Sequence, residues 1–286
     1  MSESALGSGG RRPGRLLIAL AVAAIAVIGY LSRTQVNPVT GEKQHVALDV
    51  DQEKALGLES APQMAAQMGG EASPSDPDAR RVSAVGERVV QKSSASRSPY
   101  ADSFRFHLLN DPETVNAFAL PGGPIFITEG LLRRLRTEAQ LAGVLGHEAG
   151  HVVHRHVAEQ MAKGQLGGLL AAAAGIAADD DSDRGQRAQA VAAIVSQVVQ
   201  LRYSRQDESE ADRYGVDAMA EAGYDPHAML EVMHILADAS QGPRPPEFLS
   251  SHPLPETRLR ELEQYVREKG STGAGGQPLS EGRPLD

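Results

Sequence analysis

The longest continuous run of apolar residues in the chain lies near the N-terminus. An uninterrupted apolar run extends from Leu16 to Leu31, a little short of the roughly 20 residues of an ideal membrane span, which flanking side chains can complete by snorkelling. Because Arg11, Arg12 and Arg15 precede it, the positive-inside rule places the N-terminus in the cytoplasm and the following chain outside. The run therefore predicts a membrane anchor, with a cleaved signal peptide as the alternative and a buried core helix as the least favoured interpretation.

Helical and strand periods follow one another in the rest of the chain. Helices are predicted over residues 50–68 and around Val82, Val85 and Val89, which share one helical face. Strands are predicted at residues 104–108, 115–120 and 125–128, the last two joined by a Pro-Gly-Gly-Pro turn. Beyond Thr128 almost everything has helical spacing, apart from a Pro-rich loop at residues 242–255. The pattern predicts an α+β fold that is mainly helical, with a small sheet.

These elements suggest four regions along the chain. We expect a basic segment and membrane anchor or signal at residues 1–31, a linker at 32–48, the main folded domain at 49–269 and a disordered tail, rich in Gly and Pro, at 270–286. The apolar, Gly-rich segment Gln165–Ala178 is too short to span a bilayer. We interpret it as a buried core helix, with a lid over a cleft or a membrane-surface helix as alternatives.

Composition narrows the possible chemistry. About 41% of the 286 residues are hydrophobic, but there is no Trp and aromatic residues make up only 4%, which favours closely packed helices built from small side chains. The net charge of -9, with no basic patch, argues against nucleic-acid binding. Because the chain has no Cys, a disulfide framework, a thiol nucleophile and a Cys-ligated metal are all excluded. Any metal must be bound by His and carboxylates.

The most informative pattern is His147-Glu148-Ala149-Gly150-His151. Thr137 followed by Gln140 predicts a capping box, so the helix begins well before the histidines. Histidines four residues apart lie one above the other on a helix, so that both rings can bind a single ion. The intervening Glu148 can then take a proton from the water that the ion activates. The alternative is an exposed helix face rich in His, but the apolar flanks argue against it.

Two sources of a third metal ligand can be compared: a third histidine shortly after the motif, or a carboxylate from a later helix. In one class of histidine-bound metallopeptidases the motif continues to a Gly and a third His, but this chain has His154 and Val157 at those positions. The other solution uses a carboxylate from a later helix, and Glu208 and Asp212 share a face four residues apart. One of them can bind the metal while the other accepts a hydrogen bond from a ligating His. An ordinary acidic helix start is the alternative. His154 and His156 are expected at the surface or behind the ligands, and Glu210 in solvent.

Several motifs together resemble a known family. The segment HEAGH at 147–151, followed by SRQDESEAD at 204–212, is similar to the zinc endopeptidases that include HtpX, BepA and the CaaX prenyl proteases. The stretches NAFALPGG at 116–123, EGLL at 129–132 and SHP at 251–253 with Arg258 also agree, and the match extends over roughly residues 45–268. The resemblance is closer to the members with one membrane anchor and an extracytoplasmic catalytic domain than to the members with several membrane spans. It implies a zincin-like domain with one Zn²⁺, in which Glu208 is the third ligand and Asp212 supports the site.

The resemblance also implies a mechanism and a class of substrate. Glu148 acts as the general base, and His252 or Tyr203, with Arg258 behind them, stabilises the oxyanion. His252 can instead be an inhibitory fourth ligand or anchor its loop through a hydrogen bond. An extended polypeptide adds to the edge strand at Asn116, Ala117 and Phe118, beside the active helix, although these side chains can equally serve the core.

The expected activity is hydrolysis of unfolded or damaged proteins at the extracytoplasmic face of the membrane. A non-catalytic chaperone that keeps zinc, or a hydrolase of a non-peptide bond, is the alternative.

Overall fold

A computed structural model describes residues 13–46, 48–178, 202–241, 245–270 and 278–285. The helices are α1 (Pro13–Ser32), α2 (Val50–Gln67), α3 (Pro77–Lys92), α4 (Glu129–Leu132), α5 (Glu138–Val153), α6 (His156–Ala178), α7 (Arg205–Glu221), α8 (His227–Ser240), α9 (Phe248–Ser251) and α10 (Glu256–Lys269). The strands are β1 (Thr34–Val36), β2 (Lys43–His45), β3 (Arg105–Leu109), β4 (Ala117–Ala119) and β5 (Pro124–Thr128). The predicted α+β class, mainly helical with little sheet, is confirmed.

The three predicted strands form one sheet in the order β3-β5-β4. The Pro-Gly-Gly-Pro turn makes β4 and β5 an antiparallel hairpin, whereas β3 pairs with β5 in parallel, with Phe106 opposite Ile125. Every residue of β5 is buried, as expected for a central strand covered on both faces. β4 is shorter than predicted and lies at the edge of the sheet, in contact with α5.

Helix α5 lies at the centre of the molecule. It contacts α3, α7, α8 and β4, and every residue after Glu138 is buried, because a helix that is apolar on all sides needs neighbours all around it. The predicted face of α3, formed by Val82, Val85 and Val89, packs into the same core. Thr137 caps α5 as expected, but Gln140 bonds to the backbone N–H of Arg136 rather than closing the reciprocal capping box.

A sharp break separates α5 from α6. Arg155 has a φ of 60°, a backbone conformation that is uncommon for a residue with a side chain. The Arg155 side chain is buried; its Nε donates to Glu53 Oε1 at 2.9 Å and its Nη1 to Gln35 at 3.0 Å. These bonds hold the turn, so the histidines on either side of it do not continue along one helix face.

The expected linker at residues 32–48 packs against this break. β1 and β2 form a two-stranded hairpin around the buried Asn37. Asn37 Nδ2 donates to the carbonyl of Val153 at 3.0 Å, and Gln44 Nε2 donates to the carbonyl of His154 at 2.6 Å. Carbonyls at a helix C-terminus lack partners within the helix, so the hairpin completes the end of α5.

The expected disordered tail also contributes, because residues 278–285 lie against the start of α5. The backbone N–H groups of Glu138 and Ala139 donate to the carbonyls of Arg283 and Glu281, both at 2.9 Å. These N–H groups belong to the first turn, where a helix leaves its donors unpaired. The last residues that the structure describes therefore cap the helix that carries the histidine motif.

The apolar N-terminal run forms α1, which packs along α6. Ala19 and Ala26 face inwards, whereas Leu17, Ile25 and Ile28 are more than half exposed. Within the part of the chain that the structure describes, no helix combines the length and the apolar character needed to cross a membrane. The segment Gln165–Ala178 lies in α6, and two of its leucines, Leu169 and Leu170, are 50% and 38% exposed rather than buried in the core as expected.

Candidate metal centre

Two histidines of α5 form one side of a buried cluster. His147 and His151 are one helical turn apart, and their Nε2 atoms lie 3.0 Å from each other. Both side chains are almost fully buried. Since desolvation penalises the charged ring, burial lowers the pKa of His147, and that of His151 even further. Two neutral rings therefore direct their Nε2 atoms at the same point.

Helix α7 supplies a carboxylate to the same point. The helix begins with Ser204 as its N-cap, and it approaches α5 closely where Gly146 faces Gly215 and Gly150 faces Ala211. This crossing brings the Glu208 carboxylate to 3.6 Å from His151 Nε2 and 3.8 Å from the corresponding His147 atom. Burial raises the pKa of Glu208 to about 7, although Arg258 and His147 oppose the rise.

His252, which follows α9, completes the cluster. Its Nδ1 lies 2.9 Å from Glu208 Oε1 and 3.2 Å from His147 Nε2, and its ring stacks on Phe248. Potential ligand atoms of His147, His151, Glu208 and His252 all lie within 4.8 Å of one another. The structure thus brings together the three residues expected to bind a metal and adds His252 to them.

An ion pair of Asp212 and Arg258 lies behind the cluster. Asp212 Oδ1 lies 2.9 Å from His147 Nδ1, as expected for the residue that orients this ring. The Arg258 guanidinium binds both oxygens of Asp212, with Nε–Oδ2 at 2.7 Å and Nη2–Oδ1 at 2.8 Å, and it also pairs with Glu208. Although burial alone would raise it, the pKa of Asp212 is held well below its usual value by Arg258 and His147. Asp212 is therefore an ionised acceptor.

Glu148 lies beside the cluster and is completely buried. Neither of its oxygens accepts a well-formed hydrogen bond, and Oε1 is 3.6 Å from His252 Nε2. Burial, with the charge of Glu208 nearby, raises the pKa of Glu148 well above its usual value, against the opposing effects of Arg258 and the Ala119 backbone. A buried carboxylate without a donor normally carries a large free-energy cost, which a bound ligand or water can relieve.

The residues of the cluster fit a metal ion. Neutral imidazole nitrogens and a carboxylate face one another at short range, with too few protons to satisfy them all. A cation at their meeting point satisfies these lone pairs together and keeps Glu208 ionised. Two His and one carboxylate are the protein ligands of catalytic rather than closed structural metal sites, and His252 lies where a fourth ligand would bind.

The other predicted residues lie nearby in different settings. Asn116 and Ala117 are buried, and Phe118 is half-buried and stacks on Phe126. Ala117 and Phe118 belong to the edge strand β4, which lies between α5 and β5, and Asn116 directly precedes it. The Tyr203 ring stacks on His151 with centroids 3.9 Å apart.

Two further residues, His156 and Glu210, lie behind His151. His156 is buried behind His151, one of the two positions expected for it, and its Nδ1 lies 2.9 Å from His151 Nδ1. Its Nε2 contacts Glu210, which we had expected in solvent, at 3.0 Å. The periodicity gave no signal for this contact, because the break at Arg155 returns His156 towards His151. His154 instead contacts the carbonyl of Gly150 and does not join the group.

The helix pair and its buried cluster have the arrangement of metallopeptidases of the HExxH type, with a carboxylate from a separate helix facing the two histidines. The model of peptidase family M48 matches residues 76–266, about two thirds of the chain. The chain belongs to peptidase family M48.

Individual relatives agree with this assignment. The chain is 33% identical over 254 residues to a "Beta-barrel assembly-enhancing protease" of Yersinia pestis, covering 84% of this chain and 49% of the relative. It is 34% identical over 198 residues to the protein of the same name from Escherichia coli, covering 65% of this chain and 38% of the relative. It is also 29% identical over 242 residues to "Mitochondrial metalloendopeptidase OMA1" of Schizosaccharomyces pombe, covering 84% of this chain and 68% of the relative. The chain thus spans about half or less of the length of the bacterial relatives.

Proposed function

We propose that the protein is a zinc-dependent metalloendopeptidase that hydrolyses polypeptides. The observation that carries this proposal is the convergence of His147, His151 and Glu208 beside the unpaired, buried Glu148. The first three residues would bind one Zn²⁺ per chain. Nitrogen and carboxylate ligands in this combination suit zinc, and the relatives named as proteases support peptide-bond hydrolysis.

The chain's own residues supply the proton transfers. Bound zinc would contribute Lewis-acid activation of a water and of the scissile carbonyl. Glu148 accepts a proton from the attacking water and delivers it to the leaving amine. Asp212 keeps a proton on His147 Nδ1, so that Nε2 remains free to bind. Burial excludes bulk water, which strengthens the electrostatic interactions on which these steps depend.

The edge strand β4 is the proposed binding surface for substrate. An extended peptide would add to its free edge through backbone hydrogen bonds at Asn116, Ala117 and Phe118, a mode that tolerates varied side chains. Ala119 in the same strand lies next to Glu148, so a peptide bound there passes the general base. This mode suits unfolded or damaged proteins as substrates.

Two roles of His252 can be separated by one substitution. In the present conformation its ring lies within the ligand group, where it would complete the coordination of zinc and hold the enzyme inactive. If so, His252→Ala should raise casein cleavage severalfold. If His252 instead swings away and stabilises the oxyanion, the same variant should lose about 10²–10³ in rate. Initial rates at equal zinc occupancy distinguish the two.

We also propose that α1 attaches the protein to a membrane, with the catalytic domain on the extracytoplasmic, or periplasmic, side. The apolar run after the N-terminal arginines and the exposed side chains of Leu17, Ile25 and Ile28 support this proposal. Export after signal cleavage is the alternative. Alkaline extraction of membranes, combined with N-terminal sequencing of the mature protein, tests both: an anchored chain stays in the pellet and keeps residues 1–31.

The proposed activity is tested with three variants of the full chain. Wild type should contain one zinc per chain by elemental analysis and cleave β-casein. Glu148→Gln should keep the zinc but lose about 10²–10⁴ in rate, because it removes the general base. Glu208→Ala should lose zinc as well as activity. Glu159→Gln, a change outside the cluster, serves as the matched control and should match wild type.

The same series addresses the other candidate functions. A zinc-containing chaperone would retain its activity in cells when Glu148 is replaced by Gln, whereas a protease would not. Amide, ester and phosphoester substrates offered in parallel identify a non-peptide hydrolase. Wild-type protein that binds no zinc would contradict the proposal as a whole.

A further inference from the structure

The second metal ligand has an unusual partner. His147 faces a carboxylate directly, but His151 faces another histidine: His151 Nδ1 lies 2.9 Å from His156 Nδ1, with the rings edge to face at 71°. Both rings are almost fully buried, so water does not compete for this contact. The contact between His151 and His156 forms because the turn at Arg155, with a φ of 60°, directs α6 back past the end of α5.

Glu210 holds the far side of the same histidine. His156 Nε2 lies 3.0 Å from Glu210 Oε2, and Gln206 Nε2 donates to Glu210 Oε1 at 2.8 Å. A carboxylate is ionised at neutral pH and can only accept hydrogen bonds, so Glu210 is the acceptor in both contacts. Its side chain is 25% exposed, and it therefore closes the chain of contacts at the edge of the buried region.

The proton positions follow from these contacts. A neutral imidazole carries one proton on its two ring nitrogens. Because Glu210 only accepts, His156 carries its proton on Nε2, and its Nδ1 must then be an acceptor. His151 consequently carries its own proton on Nδ1, which leaves the Nε2 lone pair pointing into the cluster. No proton moves in this arrangement; it selects one tautomer in each ring.

We propose that Glu210 and His156 are positioning residues that set the tautomer and the ring orientation of the metal ligand His151. Asp212 performs the corresponding task for His147 through direct contact. Two carboxylates of α7 therefore orient the two ligands. Asp212 contacts His147 directly, whereas Glu210 acts on His151 through His156 of α6. This inference rests on the proposed function, because it assumes that His151 binds a metal.

The test measures zinc affinity, in competition with a chromophoric chelator, rather than activity alone. Glu210→Ala removes the acceptor, and His156→Phe removes the relay while keeping a ring in its place. Loss of a group that orients a ligating histidine typically weakens metal binding 10–100-fold, and we expect losses in this range. Glu159→Ala and His227→Phe are the controls: the first removes a carboxylate of α6 and the second a histidine of α8, both outside the relay, and each should bind zinc within about threefold of wild type.

Nuclear magnetic resonance of ¹⁵N-labelled histidine provides a second readout. In the metal-free wild type, His151 should show the form protonated at Nδ1, and Glu210→Ala should show a mixture of both tautomers. A purely structural role would change the melting temperature of the metal-free protein and leave the affinity and the ring signals unchanged. That result would overturn the inference.

The outcomes separate this inference from the proposed function. If wild type binds no zinc, the metal site itself fails. If wild type binds zinc and both relay variants bind equally well, only the relay fails. If His156→Phe does not fold, Glu210→Ala decides the question alone, because its side chain lies at the rim of the buried region.

Discussion

At the scale of single residues, charge balance around Arg258 controls the site. Its guanidinium pairs with both Asp212 and Glu208, and it is only 6% exposed. Three carboxylates, counting Glu148, lie within its electrostatic reach. Without this cation, the metal-free protein would bury the ionised Asp212 with no positive partner.

Substituting Arg258 should therefore destabilise the metal-free protein strongly. We expect Arg258→Ala to lower the free energy of unfolding by about 3–5 kcal/mol, as for other buried pairs that lose one partner. Arg258→Lys should recover only part of this loss, because an ammonium cannot bind both oxygens of Asp212 as a fork does. Urea unfolding with a chelator present measures both values. A loss below about 1 kcal/mol in the Ala variant would contradict this account.

At the scale of elements, the site depends on how closely α5 and α7 approach. A Cβ atom added at Gly150 would lie 3.0 Å from the Cα and the carbonyl oxygen of Ala211, and one added at Gly215 would lie 3.0 Å from the backbone nitrogen of His147. Small residues at these positions let the backbones approach so closely that Glu208 reaches the histidines.

Gly150→Val should push the two helices apart. Overpacking of this kind costs about 1–3 kcal/mol of stability. Zinc affinity should fall as well, because Glu208 moves with α7. Gly168→Val is the matched control, since a Cβ at Gly168 in α6 has no neighbour within 4 Å, and neither quantity should fall. Thermal unfolding and chelator competition on the same samples supply the measurements, and unchanged zinc affinity in Gly150→Val would argue against the close approach as the source of the geometry.

At the scale of the whole molecule, both ends of α5 are completed by segments that are distant from it in the sequence. The hairpin around Asn37 donates hydrogen bonds to the carbonyls at the C-terminus of α5. Residues 278–285 accept hydrogen bonds from the backbone N–H groups at its N-terminus. Segments that sequence composition marks as linker and tail thus support the helix that carries His147 and His151.

Loss of the Asn37 side chain should show how much this docking contributes. Asn37→Ala leaves the Val153 carbonyl and two backbone N–H groups of the hairpin without their partner. A buried polar group left unpaired costs about 1–3 kcal/mol, so the free energy of unfolding should fall by that amount. Asn110→Ala, which removes one exposed hydrogen bond, should change it by less than about 0.5 kcal/mol. Equal effects of the two variants would show that the hairpin does not stabilise the helix end.

The structure agrees with the sequence-based predictions for single helices and strands, and it differs from them mainly in the contacts between distant elements. The helical spacing of α3 and the strand alternation of the sheet are local properties, and the structure has them close to the expected residues. The parallel pairing of β3 with β5 is not a local property, because it passes over the intervening β4. Likewise, nothing in the order of residues around Arg155 reveals that its positive φ returns His156 to His151.

The sequence by itself determined the chemistry that is available: two imidazoles one turn apart with a glutamate between them, and no thiol to compete for a metal. It could do so because the spacing of side chains on a single helix follows from backbone geometry alone. Tertiary structure decided which distant groups meet these rings: Glu208 as a candidate ligand, Asp212 and the Glu210–His156 pair behind the ligands, and His252 in front. Those contacts depend on how closely two helices cross and on where the chain turns, and these are properties of packing between elements rather than of any one element.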